Sequence, residues 1–497
     1  MKSIRNYVRE ILWPIYGIEH KKFLPLAFMM FCILFNYSLL RSIKDGFIVT
    51  SIGAEALGFL KMYFVLPSAF LATFIYSILC QYMDSKKVFY VFAAFFVGYF
   101  ALFTFALFPN IDSFRINEET IVSWSTSFPR LKWILKIVQN WTYSSFYIIA
   151  ELWGSMMVSL FFWQLANQVT RPTEAKRFYS MFGLLGNLGL VLTGYLLTTF
   201  LKQDLDGTVS ASSYTFVLSG LIVSAIFIVG TYYWTQNVVA ADPALVDPDA
   251  NPSKKKKTKL GFKESFKLIL SSRYLGLIAT LLLSYGISII LIEGVWKDRV
   301  KALYPSREAY TAFMGSFQAY QGIAAMLFML IGTNILRLVS WTSAAILTPA
   351  MILVTGFFFF LFIFASNGSS DSALLSMMAV SNPLSLAVMI GTIQNILSKG
   401  TKYSLFDSTQ KMAYMPLDDE LKTKGMSAVE VIGGRLGKSG GGFILSTIFL
   451  IFPTYTFADA TPILAVLCGI IVITWIYAVR ALGREYEAAL ALQQKNK

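Results

Sequence analysis

Residues 23–40 read FLPLAFMMFCILFNYSLL, eighteen positions without a charge, and Arg41, Ser42, Ile43, Lys44 and Asp45 follow directly. A run of that length matches the hydrocarbon core of a bilayer, about 30 Å thick, and predicts a membrane-spanning helix. Runs of the same kind recur along the 497-residue chain, and their ends predict twelve spans. They lie at 23–40, 59–79, 88–109, 142–167, 178–201, 214–236, 271–293, 312–336, 340–365, 374–398, 427–452 and 456–480. Composition agrees: 56% of residues are hydrophobic, only 14% are charged, and mean hydropathy is +0.60. Soluble domains carry about 25% charged residues, and a soluble fold of this composition would lack polar surface to cover it. The expected fold is all-α, a polytopic membrane protein. The first apolar run is too long for the h-region of a signal peptide, and no Ser- and Arg-rich transit peptide precedes it.

Twelve spans place both termini on one side. With that side inside, inner segments together with the span ends at Arg273 and Arg480 hold 28 of the 42 Lys and Arg residues, outer segments together with the span end at Lys61 hold 12, and the middle of span 11 two. This is the positive-inside bias, and it predicts an N-in, C-in topology. The longest inner segment, 237–270, contains Asp242-Pro243, Asp247-Pro248, Asn251-Pro252 and the run Lys254 to Lys257. Prolines break helix and a lysine run is solvated or lies on anionic headgroups. The segment therefore reads as a basic cytoplasmic linker between an N-terminal bundle, 1–236, and a C-terminal bundle, 271–497. No nucleic-acid-binding module surrounds it.

The halves echo each other. Gly183, Gly186 and Gly189 open span 5 in the same spacing as Gly434, Gly437 and Gly440 in span 11, at a shift of 251. Lys44-Asp45 after span 1 matches Lys297-Asp298 after span 7, at a shift of 253. A consistent offset predicts two duplicated six-helix bundles, a major-facilitator-like carrier with parallel repeats.

Charges in the predicted spans narrow the function. Glu151 lies mid-span in span 4, Glu293 ends span 7, and Arg435 and Lys438 are three residues apart on one face of span 11. Burying four such charges would cost roughly 10–14 kcal/mol, so they must face a watery cavity, pair with one another, or both. At the span mouths stand Arg41 and Lys44, Lys297 and Arg299, and Lys399 and Lys402. Long cationic side chains there can instead snorkel to headgroups. Arg41, Lys44 and Lys297 run against the positive-inside bias. Cations gathered in a low-dielectric cavity select an anionic substrate: Arg435 offers a planar fork for phosphate and Lys438 a movable point charge. The net charge of +14 suits an anionic substrate or anionic lipid equally. The inner loop Arg171-Pro172-Thr173-Glu174-Ala175-Lys176-Arg177 predicts a helix start at Pro172, with Lys176 and Arg177 as secondary gate candidates.

Other classes lose support. Gly437-Lys438-Ser439 looks like the end of a P-loop, but the required first glycine would be at 432, which is Ile432. His20 stands alone, and Cys32, Cys80 and Cys468 show no metal-ligand spacing. No metal site, cofactor or catalytic nucleophile–base pair is expected. An embedded enzyme acting on a phosphorylated lipid or nucleotide would have to reveal turnover of bound nucleotide.

Several blocks in order resemble one family. They are Asn36-Tyr37, Arg41 to Asp45, Glu151-Leu152-Trp153-Gly154-Ser155, Glu174 to Tyr179, Glu293-Gly294-Val295-Trp296-Lys297, Ala312-Phe313-Met314-Gly315, Gln394 to Lys399, and Gly437 to Gly441. Together they are similar to the ATP/ADP translocases, the nucleotide transporters of obligate intracellular bacteria and plastid envelopes. The resemblance covers nearly the whole chain. It implies a twelve-span antiporter that takes up extracellular ATP in exchange for internal ADP. Positions matching Lys44, Glu151, Glu293 and Lys438 are implicated in transport in that family, and no departure is found at these four. With Lys297 and Arg435 they form the expected substrate-binding set, and Arg41, Lys176, Arg177, Lys399 and Lys402 are secondary candidates. The family also has members that import other nucleotides with protons, or carry NAD, which is the alternative reading. Membrane lipids are expected neighbours and no obligatory protein partner is evident. Without a transit peptide, a bacterial inner membrane is expected over a plastid envelope.

Overall fold

The computed structural model describes residues 13–201, 211–245, 262–367, 382–417 and 419–495. The side chains of Lys176 and Arg435 lie outside the described set. Among the described residues every regular element is helical. Twelve long helices carry the architecture: α1 His20–Ser51, α2 Ala56–Tyr82, α3 Ser85–Leu107, α4 Trp141–Val169, α5 Pro172–Phe200 and α6 Ala211–Trp234. Then come α7 Arg273–Leu303, α8 Arg307–Leu338, α9 Trp341–Asn367, α10 Pro383–Thr401, α11 Asp419–Ile451 and α12 Phe457–Lys495.

Within the described residues the predicted spans fall on these helices, and ten of the helices are long and apolar enough to cross a membrane. The exceptions are α10, whose predicted start at 374 lies outside the described residues, and α11, which carries charges along its first half. The apolar side chains that stay exposed, among them Leu71, Phe74, Phe105, Tyr195, Ile226 and Phe357, lie on these helices. Such a surface suits lipid, where helices satisfy their backbone groups internally.

Two of the boundaries differ from expectation. Helix α1 runs on to Ser51, past the end of its apolar stretch. Part of the expected linker is a helix, Phe262–Ser271, packed against α11, with Ile269 buried and Leu270 exposed. The expected start at Pro172 holds: Pro172 occupies the first turn of α5 and the Glu174 carboxylate accepts from the Arg171 backbone N–H.

Helix-on-helix seams place the site. Helix α5 packs along α1 and α8, and α11 packs along α7. The halves also meet where α2 crosses α11. A methyl group on Gly58 would fall 3.1 Å from the Gly442 carbonyl oxygen, so the two backbones touch there. Beyond that crossing, Leu66–Tyr82 packs chiefly on α3 and α4. The helices thus meet near the end of α1 at Ser51, hereafter the Ser51 face, and the opposite end is the His20 face. On the Ser51 face Trp133 reaches Phe449, and Arg307 of α8 lies over the rings of Phe47 and Tyr143.

Candidate functional site

Three helices bring six charges into one line. Helix α1 presents Arg41, Lys44 and Asp45, spaced three and four apart and therefore on one face. Helix α7 presents Glu293 and Lys297 one turn apart, and α4 presents Glu151. Glu151 Oε1 lies 2.8 Å from Lys44 Nζ, and Lys44 Nζ lies 3.1 Å from Asp45 Oδ1. The other Asp45 oxygen is 2.8 Å from Lys297 Nζ, which is 3.3 Å from Glu293 Oε1. Arg41 Nη2 closes the line by donating to Glu293 Oε1 at 2.7 Å. The Lys44 ammonium also sits 3.9 Å from the centre of the Tyr147 ring.

The line holds three cations and three carboxylates, so it is neutral as a unit. Two of its links, Asp45–Lys297 and Arg41–Glu293, join the first six long helices to the last six. Asp45 is fully buried and Lys297 is 3% exposed, whereas one third of the Glu151 side chain is open. Buried ion pairs are poor stabilisers relative to apolar packing, yet removing one partner strands the other and costs about 3–5 kcal/mol. Such a network fixes which surfaces meet and is sensitive to any anion that competes for its cations.

Positive charge left over surrounds this line. Lys399 of α10 is buried, its Nζ has no hydrogen-bond partner among the described residues, and it stands 5.0 Å from the centre of the Phe317 ring. Lys438 of α11 is exposed and within electrostatic reach of Glu151. Lys61 of α2 is within the same reach of Lys44, Glu151, Glu293 and Lys297. Among the described residues, Lys61, Lys399 and Lys438 form no ion pair.

The structure thus brings together Lys44, Glu151, Glu293 and Lys297, and it adds Arg41 as an integral member. Glu151 is held by Lys44 within its own half, and Asp45 and Arg41 make the crossings to Lys297 and Glu293. Two secondary candidates stand elsewhere. Arg177 grips Glu19 at 2.7 Å and the Pro14 carbonyl on the His20 face. Nearby, Lys22 is buried against Glu174 and donates to the Leu245 carbonyl at 2.8 Å. Lys402 pairs with Asp407, five residues along. The sequence reading missed Asp45, Tyr147 and Lys61. For Asp45 a signal existed in the Lys44-Asp45 repeat.

A second polar region lies on the Ser51 face, a recess of about 470 Å³ lined by Thr50, Asp112, Arg115, Tyr143, Arg307 and Glu308. Close by, burial pushes the Glu55 carboxyl above its usual range, and burial beside Lys132 pulls the Lys136 ammonium down. Among the described residues no cluster of His, Cys, Asp and Glu could hold a metal ion.

Solved structures place the fold. The chain superposes on a D-xylose–proton symporter with a TM-score of 0.56 at 10% identity, covering 91% of this chain and 96% of that one. A nucleoside transporter superposes with a TM-score of 0.53 at 11% identity, covering 93% and 98%. The fold is that of the major-facilitator-like transporters, multi-helix membrane proteins with paired bundles. Sequence goes further. The family model described as TLC ATP/ADP transporter matches residues 1–486. The chain is 54% identical to the ADP,ATP carrier protein 1 of Rickettsia bellii over 493 residues, 99% of each chain. It is 54% identical to that of Rickettsia prowazekii over the same share, and 42% identical over 500 residues to the ADP,ATP carrier protein 3 of Rickettsia bellii, 98% of each. The chain belongs to the TLC ATP/ADP transporter family.

Proposed function

We propose that the protein exchanges ATP for ADP across a bacterial inner membrane by alternating access between two halves, 1–236 and 271–497, joined by the segment 237–270. The observation that carries this reading is the neutral line of six charges bridging the halves, with lysines beside it that are unpaired among the described residues. The names of the relatives supply the substrate pair. On this reading the Ser51 face is external, both termini are internal, and the chain performs transport without chemical turnover.

The proposed site comprises Lys44, Glu151, Glu293, Lys297, Arg435 and Lys438, with Arg41 and Lys399 at its edge. A nucleotide's phosphates compete with Glu293 and Asp45 for Arg41, Lys44 and Lys297. Each charge-assisted contact to phosphate contributes about 1.5–3 kcal/mol. Without substrate, parting the halves would break the buried Asp45–Lys297 and Arg41–Glu293 links and leave Arg41 with no carboxylate, so the empty carrier stays as it is. With substrate, the cations keep a partner while the halves move. That coupling makes the cycle an obligate exchange.

Proteoliposomes preloaded with ADP should therefore take up labelled ATP, and empty ones should take up almost none. Rapid uptake into empty vesicles under an imposed proton gradient would overturn the exchanger in favour of a proton-coupled importer.

A further inference from the structure

Helix α2 is not regular. Between Ala56–Phe59 and Leu66–Tyr82 it widens into a π-helical segment, Leu60–Val65, and Lys61 is the single charge in it. Segments of this kind, which also occur in α3 and α4 and after α6 and α10, aim a side chain where an α-helix would not. Here the widened turn lies at the crossing with α11. A methyl group on Gly442 would meet the Lys61 Cβ at 3.2 Å and the Gly58 carbonyl oxygen at 3.2 Å.

Lys438 precedes Gly442 by four residues, so it sits one turn along α11 on the same face. It is therefore displaced from the crossing toward the His20 face. Lys61 likewise follows Gly58 along α2, in that direction. Both lysines are within electrostatic reach of Glu151, and Lys44 already neutralises that carboxylate at 2.8 Å. Two ammonium groups, one from each half, thus flank a seam with no anion of their own among the described residues. Past Val65 the helices part, since Leu66–Tyr82 packs chiefly on α3 and α4.

We propose that Lys61 and Lys438 form a two-sided phosphate clamp, and that a phosphate group held between them draws α2 and α11 together on the His20 face. This rests on the carrier reading and adds to it a residue and a motion. Two like charges repel across an empty seam, and a polyphosphate with three or four negative charges reverses the sign of that interaction. The clamp acts on the phosphate chain and is indifferent to the base. It works as a hinge closure because the Gly58–Gly442 contact, where the backbones already touch, is the pivot.

The thiols present make the motion measurable. Cys80 on α2 is exposed, whereas Cys32 and Cys468 are buried. Leu270, in the short helix packed against α11, is 72% exposed. Spin labels at Cys80 and at Leu270→Cys report the separation of the two helices in the purified carrier. ADP and inorganic pyrophosphate should each shorten that distance, and adenosine should leave it unchanged. Lys61→Gln should abolish the shortening and weaken ADP binding about 10- to 100-fold, the value of one charge-assisted contact. Lys61→Arg should restore both. The thermal midpoint of the empty Lys61→Gln protein should equal or exceed that of the parent, because an unpaired cation has been removed. If Lys61→Gln binds ADP and closes as the parent does, the clamp is wrong and the exchanger stands. If the parent protein itself fails to bind ADP, the exchanger falls and the clamp falls with it.

Discussion

The two halves repeat each other in packing and differ in chemistry. Gly186 of α5 lies over Met30 and Leu34 of α1, and Gly437 of α11 lies over Leu282 and Gly286 of α7. Those positions correspond at shifts of 251 and 252, close to the offsets seen in the sequence. The equivalent seams are built the same way. The carboxylates at the matching positions Asp45 and Asp298 are not used the same way. Asp45 is fully buried and shared between Lys44 and Lys297, whereas Asp298 pairs with its neighbour Arg299 at 2.8 Å and stays partly open. The halves share a packing scaffold, and in only one of them is the aspartate of the motif the hub. A substrate with a phosphate end and a base end has no two-fold symmetry, so a symmetric site would not suit it.

The largest expected effect tests that asymmetry directly. Asp45→Asn leaves Lys44 and Lys297 without their shared anion and should destabilise the protein by about 3–5 kcal/mol, with exchange abolished. Asp298→Asn should retain most of both. Thermal unfolding and ATP/ADP exchange measured side by side decide it, and equal losses at the two positions would remove the distinction between the halves.

Next in size are the two glutamates. Glu293 serves Arg41 and Lys297 and bridges the halves, whereas Glu151 serves Lys44, which keeps Asp45 when Glu151 is lost. Glu293→Gln should cost about 3 kcal/mol of stability and Glu151→Gln nearer 1 kcal/mol. Denaturant or thermal titration of both variants without nucleotide reads the difference. A larger loss at Glu151 would mean that the crossing link is not the one that holds the halves.

The glycine seams give a smaller contrast. A methyl group at Gly437 would meet the Leu282 carbonyl oxygen at 3.1 Å and the Gly286 Cα at 3.2 Å, both backbone atoms. At Gly186 it would meet Leu34 Cδ1 at 2.7 Å and Met30 Cγ at 3.0 Å, which are side-chain atoms free to rotate. Gly437→Ala should therefore destabilise by about 1–3 kcal/mol and Gly186→Ala by less than about 1 kcal/mol. The same unfolding assay ranks them.

What the sequence revealed follows from what hydropathy can sense. Glu151, Glu293 and Lys438 stood out because a bilayer penalises a charge inside an apolar run. Asp45 and the extension of α1 to Ser51 did not, because the apolar run stops at Leu40 and a residue-by-residue scale cannot know that Arg41, Lys44 and Asp45 are neutralised by α4 and α7. Lys61 was hidden at the first turn of an expected span, and the π-helical widening that aims it leaves no compositional trace. The helix Phe262–Ser271 was masked by the prolines and lysines before it. Arg177 and Lys402 show the converse: they were plausible by type and position, and each is occupied by a nearby acid.

The smallest contrast separates two lysines three residues apart, at the end of α10 and just beyond it. Lys402 is 26% exposed and holds both oxygens of Asp407 at 2.8–2.9 Å. A partly solvated pair of this kind is worth about 0–1 kcal/mol, so Lys402→Met should move stability by no more than that and leave ADP affinity unchanged. Lys399 is buried with no hydrogen-bond partner among the described residues, within electrostatic reach of Arg41 and Glu293. An ammonium in that position is costly while the carrier is empty and is compensated only when an anion arrives. Lys399→Met, which keeps the stem and removes the charge, should leave the empty protein as stable as before or slightly more so, and should weaken ADP binding. Calorimetric titration with ADP, run beside a thermal scan of each empty variant, separates the two. If Lys402→Met weakens ADP binding more than Lys399→Met does, the anion lies nearer Asp407 than Glu293, and Lys399 has no place at the edge of the site.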